Sequence, residues 1–175
     1  MKPFCITILV RSSLLLFLLL NSCTPPKPIQ GAVVSAREEA SAIGVAVMAK
    51  GGTAFDAMIA TDLALTVCYP NAGNIAGGGF LVFRTAAGVK GSLDYREKAP
   101  LAANADMYLD TDGNVIPNKS LVGGLAVGVP GTVAGLYEIH QKFGKTPWAE
   151  LVQPAIDLAR NGYLVTEKQF KSFEG

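Results

Sequence analysis

This sequence holds few of the residues from which reactive sites are commonly built. Among its 175 residues there are three cysteines and one histidine. Cys5 falls in an N-terminal leader, and Cys23 follows that leader at a position where acylation would block its thiol, so Cys68 is the only free thiol expected in the mature part. This scarcity excludes a disulfide framework and a Cys/His zinc site, because both need several ligands at fixed spacings.

Charge is scarce as well. Charged residues make up 17% of the chain, and fifteen basic against fourteen acidic residues give a formal net charge of +1 with neither sign gathered into a run. A surface for a phosphate backbone needs clustered lysine and arginine, so we predict no nucleic-acid partner. Half of the residues are hydrophobic, and the length suffices for one domain with its own core.

Residues 1–22 are predicted to be a signal peptide. Lys2 and Arg11 flank and interrupt an apolar stretch that ends in "LLLFLLL", which is too short to span a bilayer. The junction "LNSC" resembles a bacterial lipoprotein signal, in which the cysteine, here Cys23, is acylated. We expect an exported protein, periplasmic or in the cell envelope, that meets the membrane only through this anchor, with residues 23–30 as a linker. Ordinary signal cleavage nearby is the alternative.

The folded part is expected to begin at residue 31 with a short strand, "AVVS". Ser35 and Glu38 have the S-x-x-E spacing of a capping box, which predicts that a helix starts there. Thr53 and Asp56 open a second helix that is apolar nearly all round and therefore buried. Asp56 is interpreted as a capping residue and not as a catalytic carboxylate.

A β-hairpin and two more helices are predicted downstream. Residues 80–84 have the composition of a strand, "TAAG" can turn the chain, and "VKGSLDY" can return as an antiparallel partner. Helices are expected over residues 132–143 and 146–162, the second bent or kinked at Pro154.

Several candidate sites are rejected on the sequence. The glycines at 77–79 precede a strand, whereas those of a phosphate loop follow one, and the G-x-x-x-x-G-K-[ST] pattern is missing. The "DTDGN" segment around Asp112 lacks the alternating ligands and the final glutamate of a calcium loop. Cys68, among apolar neighbours, and His140, in a predicted helix, are assigned packing or surface roles.

The segment "GSLDYREKAP" concentrates charge where a strand should end. Arg96 lies between Asp94 and Glu97, and Pro100 follows them. A guanidinium can grip a carboxylate with two parallel hydrogen bonds while neighbouring acids hold its side chain in place. On these residues alone, a carboxylate-binding site and a solvated turn with an internal ion pair are equally good interpretations.

Four blocks occur in the order and approximate spacing of one known family. "GGTAFDAMIA", "NAGNIAGGGFLV", "LDYREKAP" and "GGLAVGVPGTVAGL" cover most of residues 31–136 and resemble the gamma-glutamyltransferases (glutathione hydrolases) of the N-terminal nucleophile hydrolase superfamily. The resemblance implies an α/β (α+β) fold, the N-terminal portion of an αββα four-layer sandwich. It also implies that Arg96 binds the α-carboxylate of the γ-glutamyl group. Ala76 departs from the family, which commonly has another glycine there.

The same resemblance implies that residues 31–175 are part of a large subunit. In the family a precursor cleaves itself, and the new N-terminal threonine of the small subunit is the nucleophile. No segment here matches that site, so we expect it beyond residue 175 and expect the fragment alone to be inactive. The implied partners are glutathione or another γ-glutamyl compound and the small subunit of the same precursor, with no cofactor and no metal.

Two alternatives remain open at this point. One is an acylase of the same fold that removes β-lactam side chains. The other is a non-catalytic exported lipoprotein that binds an amino acid or a peptide through Arg96. The sequence that follows residue 175 would separate an enzyme from a binding protein.

Overall fold

The computed structural model of the chain describes residues 31–174. Five helices and one two-stranded antiparallel sheet follow one another in this part of the chain. They are α1 (Glu38–Ala49), α2 (Ala54–Cys68), β1 (Phe80–Arg84), β2 (Lys90–Asp94), α3 (Thr132–Phe143), α4 (Trp148–Asn161) and α5 (Glu167–Phe173), with a 3-10 turn at Gly124–Ala126. The predicted signal peptide, the predicted linker and Cys23 lie outside the described residues.

Helix α2 is the centre of the core, as its apolar composition predicts. It packs against α1, α3 and α4. The fully buried apolar side chains of the main cluster come from α2, α3 and α4 and include Ile59, Leu136, Ile139 and Leu151. A helix that is apolar on all sides is stable in water only if neighbours cover it, and α1, α3 and α4 cover α2 in this way.

The hairpin forms where the sequence predicts it. β1 and β2 pair in antiparallel register from Phe80 opposite Asp94 to Arg84 opposite Lys90. Side chains alternate across the sheet, so that Leu81 is buried whereas Val82 is 83% exposed. On the inner face, the ring of Phe83 lies 5.6 Å from that of Phe55 and 4.9 Å from that of Phe143, and the latter two rings stack at 4.4 Å. One face of the sheet is therefore packed on helices and the other is open.

The capping box predicted for α2 is present. The hydroxyl of Thr53 accepts from the backbone N–H of Asp56 at 3.1 Å, and the Asp56 carboxylate accepts from the backbone N–H of Thr53 at 2.8 Å. Asp56 is fully buried, and it also accepts from the backbone N–H of Lys145 at 3.1 Å. The carboxylate thus joins the start of α2 to the loop after α3, a purely structural role.

Two predictions at the start of the domain, the strand and the capping box, are wrong. The "AVVS" segment is not a strand, because no strand pairs with it within residues 31–174, and Val34 is 93% exposed. Helix α1 begins at Glu38 after Arg37, and no side chain caps it. The hydroxyl of Ser35 instead donates to the carbonyl of Arg37 at 2.8 Å, which removes it from the capping position.

The C-terminal region differs from expectation in one element. Helix α4 runs through Pro154, and α5 is an additional helix that was not predicted. The hydroxyl of Thr166 caps α5 by accepting from the backbone N–H of Gln169. The T-x-x-Q spacing of these two residues was a signal available in the sequence. Among the helices of residues 31–174, none has the length and apolar composition needed to cross a membrane.

Candidate substrate-binding site around Arg96

The backbone around Arg96 is held between two glycine-rich segments. Immediately after β2, the N–H of Tyr95 donates to the carbonyl of Gly79 at 3.0 Å. Lys98 then pairs with Val129 through two backbone hydrogen bonds of 3.1 and 2.8 Å. Arg96 lies between these two attachments, so its Cα position is fixed from both sides.

Glycines occur at 78, 131 and 135 because the segment that carries Arg96 packs closely against the backbone there. A Cβ on Gly78 would lie 2.6 Å from the Cα of Arg96, and a Cβ on Gly131 would collide with the carbonyl oxygen of Tyr95. A Cβ on Gly135, in α3, would collide with the ring of Tyr95. Because no other residue leaves this space, glycines from two distant blocks of the sequence are needed to admit the segment that carries Arg96.

The guanidinium of Arg96 is only loosely held. Its side chain is 63% exposed, its Nε lies 3.5 Å from Oε2 of Glu97, and its Cζ lies 5.8 Å from the centre of the Phe80 ring. The Asp94 carboxylate accepts from the backbone N–H of Arg96 at 3.0 Å. Among the described residues, nothing pairs with the two terminal nitrogens of the guanidinium. An exposed ion pair of this kind contributes about 0 to 1 kcal/mol and is readily exchanged for a ligand carboxylate.

A small cleft lies beside this segment. Its volume is about 230 Å³. Two basic residues, Arg96 and Lys98, and two acidic residues, Asp94 and Glu138, are among those that line it. Such a lining suits a ligand that carries both an ammonium and a carboxylate. A larger cleft of about 520 Å³, between α1 and α4, does not include Arg96.

Tyr95 lines both this cleft of about 230 Å³ and a third cleft of about 470 Å³, which Asp62 of α2 also lines. Burial raises the pKa of the Tyr95 hydroxyl, and the nearby Asp62 charge raises it further. Burial also raises the pKa of the Asp62 carboxyl. Both shifts have the sign expected where a charge loses solvent without gaining a counter-ion.

The other reactive side chains have structural roles, as the sequence predicts. Cys68 is fully buried, and burial raises the pKa of its thiol. Nε2 of His140 lies 2.8 Å from the carbonyl oxygen of Thr146, and its ring packs edge-on against Trp148 at 5.4 Å. Within residues 31–174, no group of three or more histidine, cysteine or acidic side chains could hold a metal ion.

Comparison with known proteins identifies the family. A sequence model described as gamma-glutamyltranspeptidase matches residues 40–175, which is most of the chain. The chain belongs to the gamma-glutamyltranspeptidase family. A glutathione hydrolase proenzyme of Pseudomonas aeruginosa is 51% identical over 141 residues, covering 81% of this chain and 25% of that protein. The chain thus spans about a quarter of the length of this curated relative.

Solved structures agree with this assignment. The gamma-glutamyltranspeptidase of Helicobacter pylori superposes with a TM-score of 0.78 at 46% identity, covering 86% of this chain and 43% of that one. A cephalosporin acylase from Bacillus halodurans superposes with a TM-score of 0.67 at 28% identity, covering 86% of this chain and 29% of that one. The predicted fold, the N-terminal portion of an αββα sandwich of the N-terminal nucleophile hydrolase type, is confirmed.

Sequence reasoning missed the pair of residues that joins the glycine loop before β1 to the start of α3. Asn74, in the loop before β1, and Thr132, the first residue of α3, are joined by a hydrogen bond of 2.7 Å. The only feature of the sequence that could have indicated this pair is that Asn74 is a polar residue inside a glycine-rich block. The departure at Ala76 causes no strain, because among residues 31–174 the one non-glycine residue with positive φ is Asn118.

Proposed function

We propose that this chain is the N-terminal part of the large subunit of a gamma-glutamyltransferase, or glutathione hydrolase, and that Arg96 binds the α-carboxylate of its γ-glutamyl substrate. The observation that carries the proposal is an exposed guanidinium on an immobilised backbone. The fixed Cα sets where the carboxylate can bind, and the weak contact with Glu97 costs little to exchange.

Binding through the α-carboxylate orients the substrate for acyl transfer. The γ-amide carbon lies at the other end of the glutamyl chain, so a guanidinium that holds the carboxylate fixes the reach of the scissile bond. The hydroxyl of a threonine located beyond residue 175 attacks this carbon, its proton passes to the threonine's own amine, and the amide nitrogen leaves as a protonated amine. Water or an acceptor amine then takes the glutamyl group from the resulting ester. The reaction requires no cofactor or metal.

The partner of this chain is the small subunit cut from the same precursor. The outer face of the hairpin supports this, because Phe80 is 64% and Val82 is 83% exposed. An apolar sheet face of this kind is stable when a second layer covers it, and an αββα sandwich supplies that layer. The mature protein is exported to the periplasm or cell envelope, and acylated Cys23 anchors it to the membrane.

A second activity of the same fold is acylase action on β-lactam side chains. The likeness to the Bacillus halodurans cephalosporin acylase favours it as the alternative. A β-lactam substrate without an α-amino acid group would make no use of the carboxylate grip, so the role of Arg96 separates the two activities.

Substitution of Arg96 in the full-length precursor tests the proposal. A charge-assisted contact with a carboxylate is worth roughly 1.5 to 3 kcal/mol, so Arg96→Ala should lower kcat/KM for a γ-glutamyl anilide by about one to two orders of magnitude. The loss should appear mainly in KM if the carboxylate is held equally before and during attack. Arg96→Lys keeps the charge without the two-pronged geometry and should fall between the two.

Three controls make this test specific. Self-cleavage should survive both substitutions, because it does not use the substrate carboxylate. A 4-aminobutanoyl anilide, which lacks that carboxylate, should be processed equally poorly by wild type and Arg96→Ala. Arg160→Ala, at a site on α4 that is 71% exposed, should leave turnover unchanged. Wild-type kcat/KM in a correctly matured Arg96→Ala variant would show that Arg96 is only a partner in a surface ion pair.

A further inference from the structure

Asn74 ties together the two segments that enclose Arg96. Its Oδ1 accepts from the backbone N–H of Gly77 and from the hydroxyl of Thr132, both at 2.7 Å. Its Nδ2 donates to the carbonyl of Ala72 at 3.2 Å. One side chain therefore joins the loop before β1 to the first turn of α3, which lies 58 residues further along the chain.

Backbone hydrogen bonds reinforce the same junction. The carbonyl of Gly77 accepts from the N–H groups of Gly131 and Thr132 at 2.7 and 3.1 Å. Thr132 is only 2% exposed, so its hydroxyl has no access to water as a substitute partner. If Asn74 were replaced by an apolar residue, the Thr132 hydroxyl and the Gly77 N–H would lose their acceptor, and the loop would separate from the helix.

The Arg96 segment lies against both sides of this junction. Gly78 follows Gly77, and a Cβ on it would lie 2.6 Å from the Cα of Arg96. Gly131 precedes Thr132, and a Cβ on it would lie 2.9 Å from the carbonyl oxygen of Arg96. Movement between the loop and the helix therefore changes the width of the slot that holds Arg96. Asn74 makes its hydrogen bonds to Ala72, Gly77 and Thr132 and none to the Arg96 side chain, so its influence on Arg96 passes through these segments.

We infer that Asn74 is a positioning residue for carboxylate binding, and that it acts by fixing the glycine loop and the start of α3 around Arg96. This inference rests on the proposed role of Arg96 and adds to it a residue that does not touch the substrate. A shift of about 1 Å in a group that binds the substrate can cost up to two orders of magnitude in rate, so an indirect effect of this kind is measurable.

The test compares Asn74→Leu with Asn74→Asp in the full-length precursor. Leucine fills a similar volume without an acceptor, and aspartate retains an oxygen for both donors. We expect Asn74→Leu to raise KM for a γ-glutamyl anilide about tenfold with kcat within about twofold, and Asn74→Asp to recover most of that loss. Turnover of the 4-aminobutanoyl anilide should not change. Asn71→Leu, the same substitution in the same loop at an exposed site, should behave as wild type.

A double-mutant cycle provides the decisive readout. If Asn74 acts through Arg96, Asn74→Leu should cause no further loss in an Arg96→Ala background. Should Asn74→Leu fail to mature, Thr132→Val can replace it in the test, because it removes the hydrogen bond to Asn74. Thr132→Ser, which keeps the hydroxyl and therefore the hydrogen bond, is its control.

The outcomes separate the two hypotheses. A wild-type KM in Asn74→Leu, equal losses on both substrates, or effects of Asn74→Leu and Arg96→Ala that simply add would overturn the positioning role while leaving the proposed function intact. Absence of γ-glutamyl turnover by the wild-type precursor would overturn the proposed function, and this inference with it.

Discussion

Replacing Asp56 with asparagine should test how strongly one buried carboxylate holds the helical layer together. Asp56 is fully buried and accepts from the backbone N–H groups of Thr53, Lys145 and Thr146 and from the Thr53 hydroxyl. Burial by itself would raise the pKa of this carboxyl, but the hydrogen bonds prevail and lower it. The charged form is therefore the one that the folded state stabilises.

The expected size of the effect follows from the number of donors. An asparagine amide offers one oxygen to these groups and turns its own N–H₂ toward the remaining donors. Leaving one or two backbone N–H groups without an acceptor costs about 1 to 3 kcal/mol each, so Asp56→Asn should reduce the free energy of unfolding by about 3 kcal/mol at neutral pH. Urea unfolding of residues 24–175, followed by the fluorescence of Trp148, the one tryptophan in the chain, measures this difference.

The pH dependence has a defined sign. Because the folded-state pKa of Asp56 lies below its ordinary value, the unfolded chain takes up the proton first as pH falls. The stabilisation is complete above about pH 4 and is lost as pH falls through the folded-state pKa, so the difference between wild type and Asp56→Asn should shrink there.

Asp62 on the same helix provides a control of opposite sign. Burial raises the pKa of its carboxyl, so ionisation of Asp62 opposes folding above the raised pKa. Asp62→Asn should therefore increase stability at neutral pH, and this gain should disappear as pH falls toward the ordinary value. Equal urea midpoints for wild type and Asp56→Asn at neutral pH, or a penalty that does not change with pH, would refute the assignment of Asp56 as a charged cap.

Two further predictions concern the packing at Tyr95 and the membrane anchor. Gly135→Ala should destabilise the chain by at least about 1 kcal/mol, because the added Cβ would collide with the Tyr95 ring. Gly124 has open space around it, so Gly124→Ala should have little effect in the same urea assay. Equal effects of the two substitutions would contradict the packing of Gly135 against Tyr95. If Cys23 is acylated, labelled fatty acid given to expressing cells should enter the wild-type protein and not Cys23→Ser, because the substitution removes the thiol that carries the acyl chain. The labelled protein should also partition with membranes, since each buried methylene adds about 0.8 kcal/mol to membrane binding. Equal labelling of both proteins would exclude the anchor.

The sequence by itself was sufficient wherever local chemistry decides the structure. The capping box at Thr53 and Asp56 needs only residues three apart, and the hairpin needs only alternating side chains and a short turn, so both were predictable. Spacing failed as a signal where the same group has another partner. Ser35 has the spacing of a cap, but in the folded chain its hydroxyl donates to the carbonyl of Arg37, and α1 starts at Glu38 without a side-chain cap.

The arrangement around Arg96 was decided by the tertiary structure alone. The sequence contains glycines at 77–79, 131 and 135 and an arginine at 96, but no pattern in it indicates that these segments lie together in the fold. They meet because hydrogen bonds from Gly131 and Thr132 to Gly77 and from Tyr95 to Gly79 close loops of many residues, and such contacts form only when burial of the helices offsets the loss of chain entropy. The position of the guanidinium therefore depends on the whole fold, whereas its ability to bind a carboxylate follows from the arginine side chain alone.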